Sequence, residues 1–221
     1  MQGYDSMNEK TRRGFTLIEL MIVIAIILMI AAIAIPQLMS SKKSANAAAA
    51  VAALQEYAAQ QKNFVKNGAD AHPENSAVPG GYAANFRNLY YGNPVRDGVA
   101  ETSELLKMIP KDMADAFVAN PENTNASPLA PAVASAPYHG YLFREPREMN
   151  PEKPSDFADD FALVAYPADS STTGGRAFWI GLDEDDAVVM YYQDLPAGKT
   201  AENDSDMDTP SSGSFTGWSG M

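Results

Sequence analysis

Between Leu20 and Ser41 the chain carries no charged residue, and the apolar stretch that fills most of this run begins at Phe15. From Phe15 to Ile35 there are 21 residues, which as a helix rise roughly 31 Å at about 1.5 Å each, close to the hydrocarbon thickness of a bilayer. The segment is long enough to span. One carboxylate, Glu19, sits a single helical turn inside it, where an ionisable group is costly and as a rule functional. A secretory signal would have a shorter apolar core with a small-x-small cleavage site behind it. Here Arg12, Arg13 and Gly14 stand before the core, the reverse of that order. Lys10, Arg12 and Arg13 before the span outnumber Lys42 and Lys43 after it, a small bias towards an N-terminus inside.

The stretch Arg12-Arg13-Gly14-Phe15-Thr16-Leu17-Ile18-Glu19 and the apolar run behind it resemble the N-terminus of type IV pilins and of the pseudopilins of type II secretion. The resemblance is specific over about the first 65 residues and loose beyond them. It implies that a membrane peptidase cuts after Gly14 and methylates the new N-terminal Phe15, making Glu19 the fifth residue of the mature chain. The leader is then fourteen residues, or eight if Met7 is the start. The amine of Phe15 would lie roughly 6 Å along the helix from Glu19. A neighbour staggered by one turn sets its own amine against that carboxylate, so that two costly groups neutralise each other and fix an assembly register. The bland reading is a shallow glutamate solvated near the headgroups.

Net charge is −12, and the leader sets Lys10, Arg12 and Arg13 against Asp5 and Glu9, which leaves −13 on the mature side chains. Such a surface repels phosphate backbones, so no nucleic-acid partner is expected. There is no cysteine, which removes disulfides, thiolate metal sites and thiol nucleophiles together. Many type IV pilins staple their C-terminal segment with a disulfide; here packing, hydrogen bonds or a cation must hold the tail. Asp183, Asp185 and Asp186 in one cluster and Asp204, Asp206 and Asp208 in another invite a calcium reading. The second lacks the glycine and terminal glutamate of an EF-hand, having Thr209 and Phe215 at those positions, so a solvated acidic surface is the expectation and no metal is assigned. For catalysis there is little to stand on. His72 and His139 have no metal-ligand spacing, and Gly198-Lys199-Thr200 lacks the earlier glycine of a phosphate loop because Gln193 stands there. Neither a cofactor nor an enzymatic activity is expected.

Past the span, Pro36 removes a backbone donor and is expected to kink or loosen the helix. Helical spacing returns through Val51, Leu54, Tyr57, Phe64 and Val65, and Gly68 is the expected stop after Lys62 and Lys66. Thr102–Met108 reads as a short helix with Thr102 as N-cap, and the four prolines between Pro121 and Pro137 mark an irregular connection. Tyr138–Arg144, Phe161–Tyr166, Ala177–Leu182 and Val188–Gln193 are strand-like runs with short separations, which favour an antiparallel meander. Tyr166, Phe178, Trp179, Tyr191 and Tyr192 read as sheet packing.

The expected fold is therefore α+β, a long N-terminal helix with a membrane-spanning first half, packed on a small antiparallel β-meander. Its parts are a leader (1–14), a transmembrane and assembly helix (15–36), an amphipathic continuation (37–67), an irregular connecting region (68–137), the sheet (138–195) and an acidic Ser/Gly-rich tail (196–221). The resemblance implies a filament subunit whose partners are copies of itself, a prepilin peptidase, an inner-membrane assembly platform with its ATPase, and membrane lipid before assembly. It implies a single-pass inner-membrane precursor with a cytoplasmic N-terminus and a periplasmic or extracellular filament. A type II secretion pseudopilin is the nearest alternative. A singly anchored surface protein or enzyme with a borrowed leader is the alternative from another class.

Overall fold

The structure is a computed structural model that describes residues 14–68, 81–83, 86–91, 106–118, 136–144, 161–183, 185–195 and 218–221. The chain divides into two compact units, Met1–Ser41 and Lys42–Met221. Helix α1 (Leu17–Asn63) starts in the first unit, and a π-helical turn, Phe64–Gly68, follows it. Pro36 lies inside α1, which carries on past it on both sides; the proline ring has no N–H to offer the Ala32 carbonyl.

In the second unit α1 buries Ala50, Leu54, Tyr57, Gln61 and, at the π-turn, Phe64, a spacing that keeps one helical face inward. Val51 and Val65, expected on that face, flank it half-buried. Alanines at 50, 53 and 58 keep the buried face of the helix narrow. Gln61 is the one polar residue on this face, and its amide is satisfied there: Ala83 N–H donates to Oε1 at 2.9 Å and Nε2 donates to the Tyr57 hydroxyl at 3.1 Å. Tyr57 packs its ring against Phe86 and Phe161 at centroid distances of 5.4 and 5.5 Å.

The sheet runs in the order β1 (Phe117–Val118), β2 (Tyr141–Arg144), β3 (Ala162–Pro167), β4 (Arg176–Leu182), β5 (Val188–Asp194) and β6 (Ser219–Gly220). Strands β2 to β6 are antiparallel and β1 joins β2 in parallel. The α+β layout expected from the sequence is present, and β2 to β5 are its meander. β2 begins three residues later than the run Tyr138–Arg144 suggested. His139 (φ 48°) and Gly140 (φ 79°) both take the left-handed conformation, and the chain turns back so that Tyr138 and Tyr141 exchange N–H···O bonds of 2.8 and 2.9 Å. A β-carbon at position 140 would also come within 3.0 Å of Asn46 Nδ2 and Thr173 Cβ. Two short helices, α2 (Asn88–Tyr91) and α3 (Lys111–Asp115), complete the elements among the described residues. The helix expected over Thr102–Met108 is not formed in its described part: Leu106–Met108 is irregular, with Lys107 and Met108 donating to the carbonyls of Tyr90 and Leu89. Residues 102–105 lie outside the described residues.

β3 is buried along its whole length because both faces of the sheet are covered. Phe161, Leu163, Ala165, Phe178 and Ile180 face the α1 side. Ala162, Val164, Tyr166, Ala177 and Trp179 form a second cluster on the opposite face, closed by Trp218. The last residues therefore return to the sheet: Ser219 and Gly220 pair with Tyr192 and Tyr191, and Met221 N–H donates to the Met190 carbonyl at 3.1 Å.

Candidate functional site

Gly14, Phe15 and Thr16 precede the first helical residue, Leu17. Phe15 is 91% exposed, and a β-carbon added at Gly14 would meet nothing within 4 Å. The Gly14–Phe15 bond thus lies in open, non-helical chain. Thr16 occupies the N-cap, and its carbonyl accepts the first helical bond from Leu20 N–H at 3.4 Å. Its backbone N–H and its hydroxyl both donate to Glu19 Oε2 at 2.8 Å, and Glu19 N–H donates to Thr16 Oγ1 at 3.3 Å. This reciprocal arrangement is a capping box, which satisfies two of the helix's unpaired donors. It also sets a carboxylate at the positive end of the helix dipole. Every one of these bonds to the carboxylate goes to Oε2, and Oε1 has no hydrogen bond among the described residues.

The spacing Thr16-x-x-Glu19 just ahead of an apolar run is the sequence signature of such a box. Sequence reasoning treated Glu19 alone and overlooked Thr16, although the signal was present. Behind the box, no large apolar side chain from Leu17 to Met39 is less than 44% exposed. A helix apolar on every side requires lipid or other protein around it. It is long and apolar enough to cross a membrane.

The remaining candidates separate. Asp183 Oδ1 accepts from the backbone N–H of Asp185 (3.0 Å) and of Ala187 (2.9 Å), so this carboxylate caps the β4–β5 turn. Among the described residues no three carboxylate or histidine side chains converge on a common point. His139 sits in the turn before β2, its ring edge-on to Tyr138 at 4.4 Å. Leader residues Met7, Lys10, Arg12 and Arg13 lie outside the described residues. So do His72, Gly198 to Thr200, and Asp204, Asp206 and Asp208. On the domain surface the hydroxyls of Ser171 and Thr172 and the Ser171 N–H hold the Asp169 carboxylate, lowering it to about 2. Burial raises Asp115, and its bonds from Lys111 and the Tyr91 hydroxyl more than offset that, leaving it below the usual range.

Residues 10–35 match the family model described as the prokaryotic N-terminal methylation motif, the prepilin-type signature of type IV pilins and pseudopilins. No curated protein and no solved structure gives a significant match to the chain. The motif supports a type IV pilin-like or pseudopilin precursor processed by prepilin peptidase, and points to a structural subunit. Homopolymer assembly and single-pass anchoring are what such a motif, with one long apolar helix, implies in general.

Proposed function

We propose that this chain is the structural subunit of a type IV pilus-like filament, cut between Gly14 and Phe15, methylated on Phe15, and assembled through α1. The observation that carries this reading is the Glu19 carboxylate, held by Thr16 through one oxygen at the mouth of a helix apolar all round, with the other oxygen open. In the lone subunit the capping box reduces the cost of the charge near the headgroups. In the filament, Oε1 accepts the Phe15 amine of a neighbour staggered by one turn. The pair neutralises two charges that lipid tolerates poorly, so joining the bundle is favoured over staying single. Pro36 gives the helix a place to extend or bend as subunits pack. The precursor spans the inner membrane with its N-terminus in the cytoplasm, and an assembly platform driven by a cytoplasmic ATPase extracts it into a filament outside.

Two measurements test this. Intact-mass analysis of the membrane-purified protein should show loss of residues 1–14 and gain of one methyl group; a mature chain retaining Arg12-Arg13 would remove the main support. Glu19→Ala should insert and accumulate normally, since it suits lipid better, while the yield of sheared filaments collapses. Normal filaments from that variant would make the carboxylate a tolerated interfacial residue. Abundant long surface filaments identify a pilin, whereas lost protein export without them identifies a secretion pseudopilin.

A further inference from the structure

The uncharged run Leu20–Ser41 is 22 residues long, about 33 Å as a helix, and the hydrocarbon of a bilayer is about 30 Å thick. Lys42 and Lys43 follow it directly in α1. An α1 that spans the bilayer therefore delivers two ammonium groups to the headgroup layer beyond. Lys42 is exposed and Lys43 half-buried, and neither has an ion-pair partner among the described residues. In a mature chain beginning at Phe15 they are the first basic residues.

Asn46, about 6 Å along the helix from Lys42, fastens α1 to one end of the sheet. Its Nδ2 donates to the Thr173 carbonyl at 2.8 Å, and a β-carbon at Gly140 would come within 3.0 Å of the same nitrogen. Ala168 N–H in turn donates to the Gly140 carbonyl at 2.9 Å. The turn before β2 and the turn Asp169–Thr173 between β3 and β4 thus lie together at the end of the domain where the lysines are. Other charges at this end are engaged. The hydroxyls of Ser171 and Thr172 hold both oxygens of Asp169, and Arg176 Nε donates to Asp194 Oδ1 at 2.7 Å. His139, Ser171 and Thr172 are exposed, so the end of the domain next to the span is polar, and Lys42 and Lys43 are its unpaired charges. We propose that this end is a lipid-contact surface, on which Lys42 and Lys43 bind the phosphates of anionic phospholipids while the precursor is in the membrane. The contact holds the domain at the membrane surface and has to be released when the subunit leaves for a filament. Charge complementarity selects the lipid: each lysine near an anionic surface adds to the attraction, and salt screens it.

The inference rests on the reading of α1 as a single-pass anchor, and the absence of native cysteine gives a direct test. One fluorophore is placed at Gly175→Cys, where a β-carbon meets nothing within 4 Å, at the start of β4. A second chain carries it at Asp185→Cys, exposed in the turn at the other end of that strand, roughly 20 Å away. The processed full-length chains are reconstituted into vesicles of phosphatidylcholine and phosphatidylglycerol, with some of the phosphatidylcholine carrying a nitroxide on its headgroup. Quenching should be several times stronger at position 175 than at position 185. The preference for phosphatidylglycerol over phosphatidylcholine, read by electron spin resonance of acyl-labelled lipids, should fall about tenfold in Lys42→Gln with Lys43→Gln at unchanged insertion. Lys42→Arg with Lys43→Arg should keep it. Equal quenching at the two positions, or a glutamine variant with the wild-type lipid preference, overturns the lipid-contact surface and leaves the anchor reading intact. A processed chain that an alkaline wash strips from the vesicles overturns both.

Discussion

At the scale of single residues, Thr16 and Glu19 divide the work at the start of α1. Thr16 supplies the cap and holds one carboxylate oxygen; Glu19 keeps the other oxygen open. Loss of the threonine hydroxyl removes one donor to the carboxylate and the acceptor for Glu19 N–H, a cap worth about 1 kcal/mol. Thr16→Ala should therefore fray the first turn in detergent micelles, seen as faster amide hydrogen exchange at Leu17 to Leu20, whereas Thr16→Ser stays close to wild type. Filament yield should fall less than for Glu19→Ala, because the carboxylate remains. Equal exchange in all three chains would show that the box does not organise the turn. Asp169 provides a second residue-level test, on the domain. Its folded value of about 2 lies below the ordinary aspartate value near 3.9, so its contribution is fully present above that ordinary value. The contribution is lost as pH falls from about 4 through about 2. Asp169→Ala should remove the part of the acid destabilisation that falls in this window, as measured by melting temperature against pH.

At the scale of elements, β6 replaces what a disulfide would do in a chain without cysteine. Trp218 is 8% exposed against Trp179, Tyr166 and Val164, and three residues of backbone after it pair with or donate to β5. Trp218→Ala removes the indole packed into this outer cluster and should cost about 3 kcal/mol, read by denaturant titration. Trp218→Phe should recover more than half of that, and an unchanged midpoint for both variants would mean that the tail does not hold the sheet's outer face. The sequence made β2 to β5 legible because those strands are long enough to show apolar and aromatic runs between turn residues. β1 and β6 are two residues each and carry no periodic signal; they exist through their neighbours. The buried face of α1 was legible at Leu54, Tyr57 and Phe64, and less so at its alanines, whose small side chains give little hydrophobic contrast. Gln61 was hidden for a related reason: it is a polar residue on an apolar face, satisfied by Tyr57 one turn back and by Ala83, 22 positions on, a pairing no local pattern encodes. Gly14, Phe15 and Glu19 stand within six residues, so the sequence alone brings them together.

At the scale of the whole molecule, the boundary at Ser41–Lys42 separates two kinds of surface. The residues before it expose apolar side chains on every side of a helix, and those after it build two clusters on the faces of a six-stranded sheet. Among the described residues, those that cover the two sheet faces lie in the second unit, including the α1 residues from Ala50 to Phe64. A fragment Lys42–Met221 should therefore be soluble and unfold cooperatively in a single thermal transition. It should also be monomeric at micromolar concentration, because it lacks the helix segment whose side chains are apolar on every side. Assembly in the full chain would then depend on the apolar helix bringing many copies together. Added calcium should shift the melting temperature of the fragment little, since Asp183 already serves as the cap of its turn. A large calcium-dependent rise would mark a bound ion that stabilises the folded state by mass action, and would assign the acidic clusters a ligand role in place of a solvated one. A fragment that oligomerises without the helix would instead place the main assembly energy in the domain and reduce the apolar segment to an anchor.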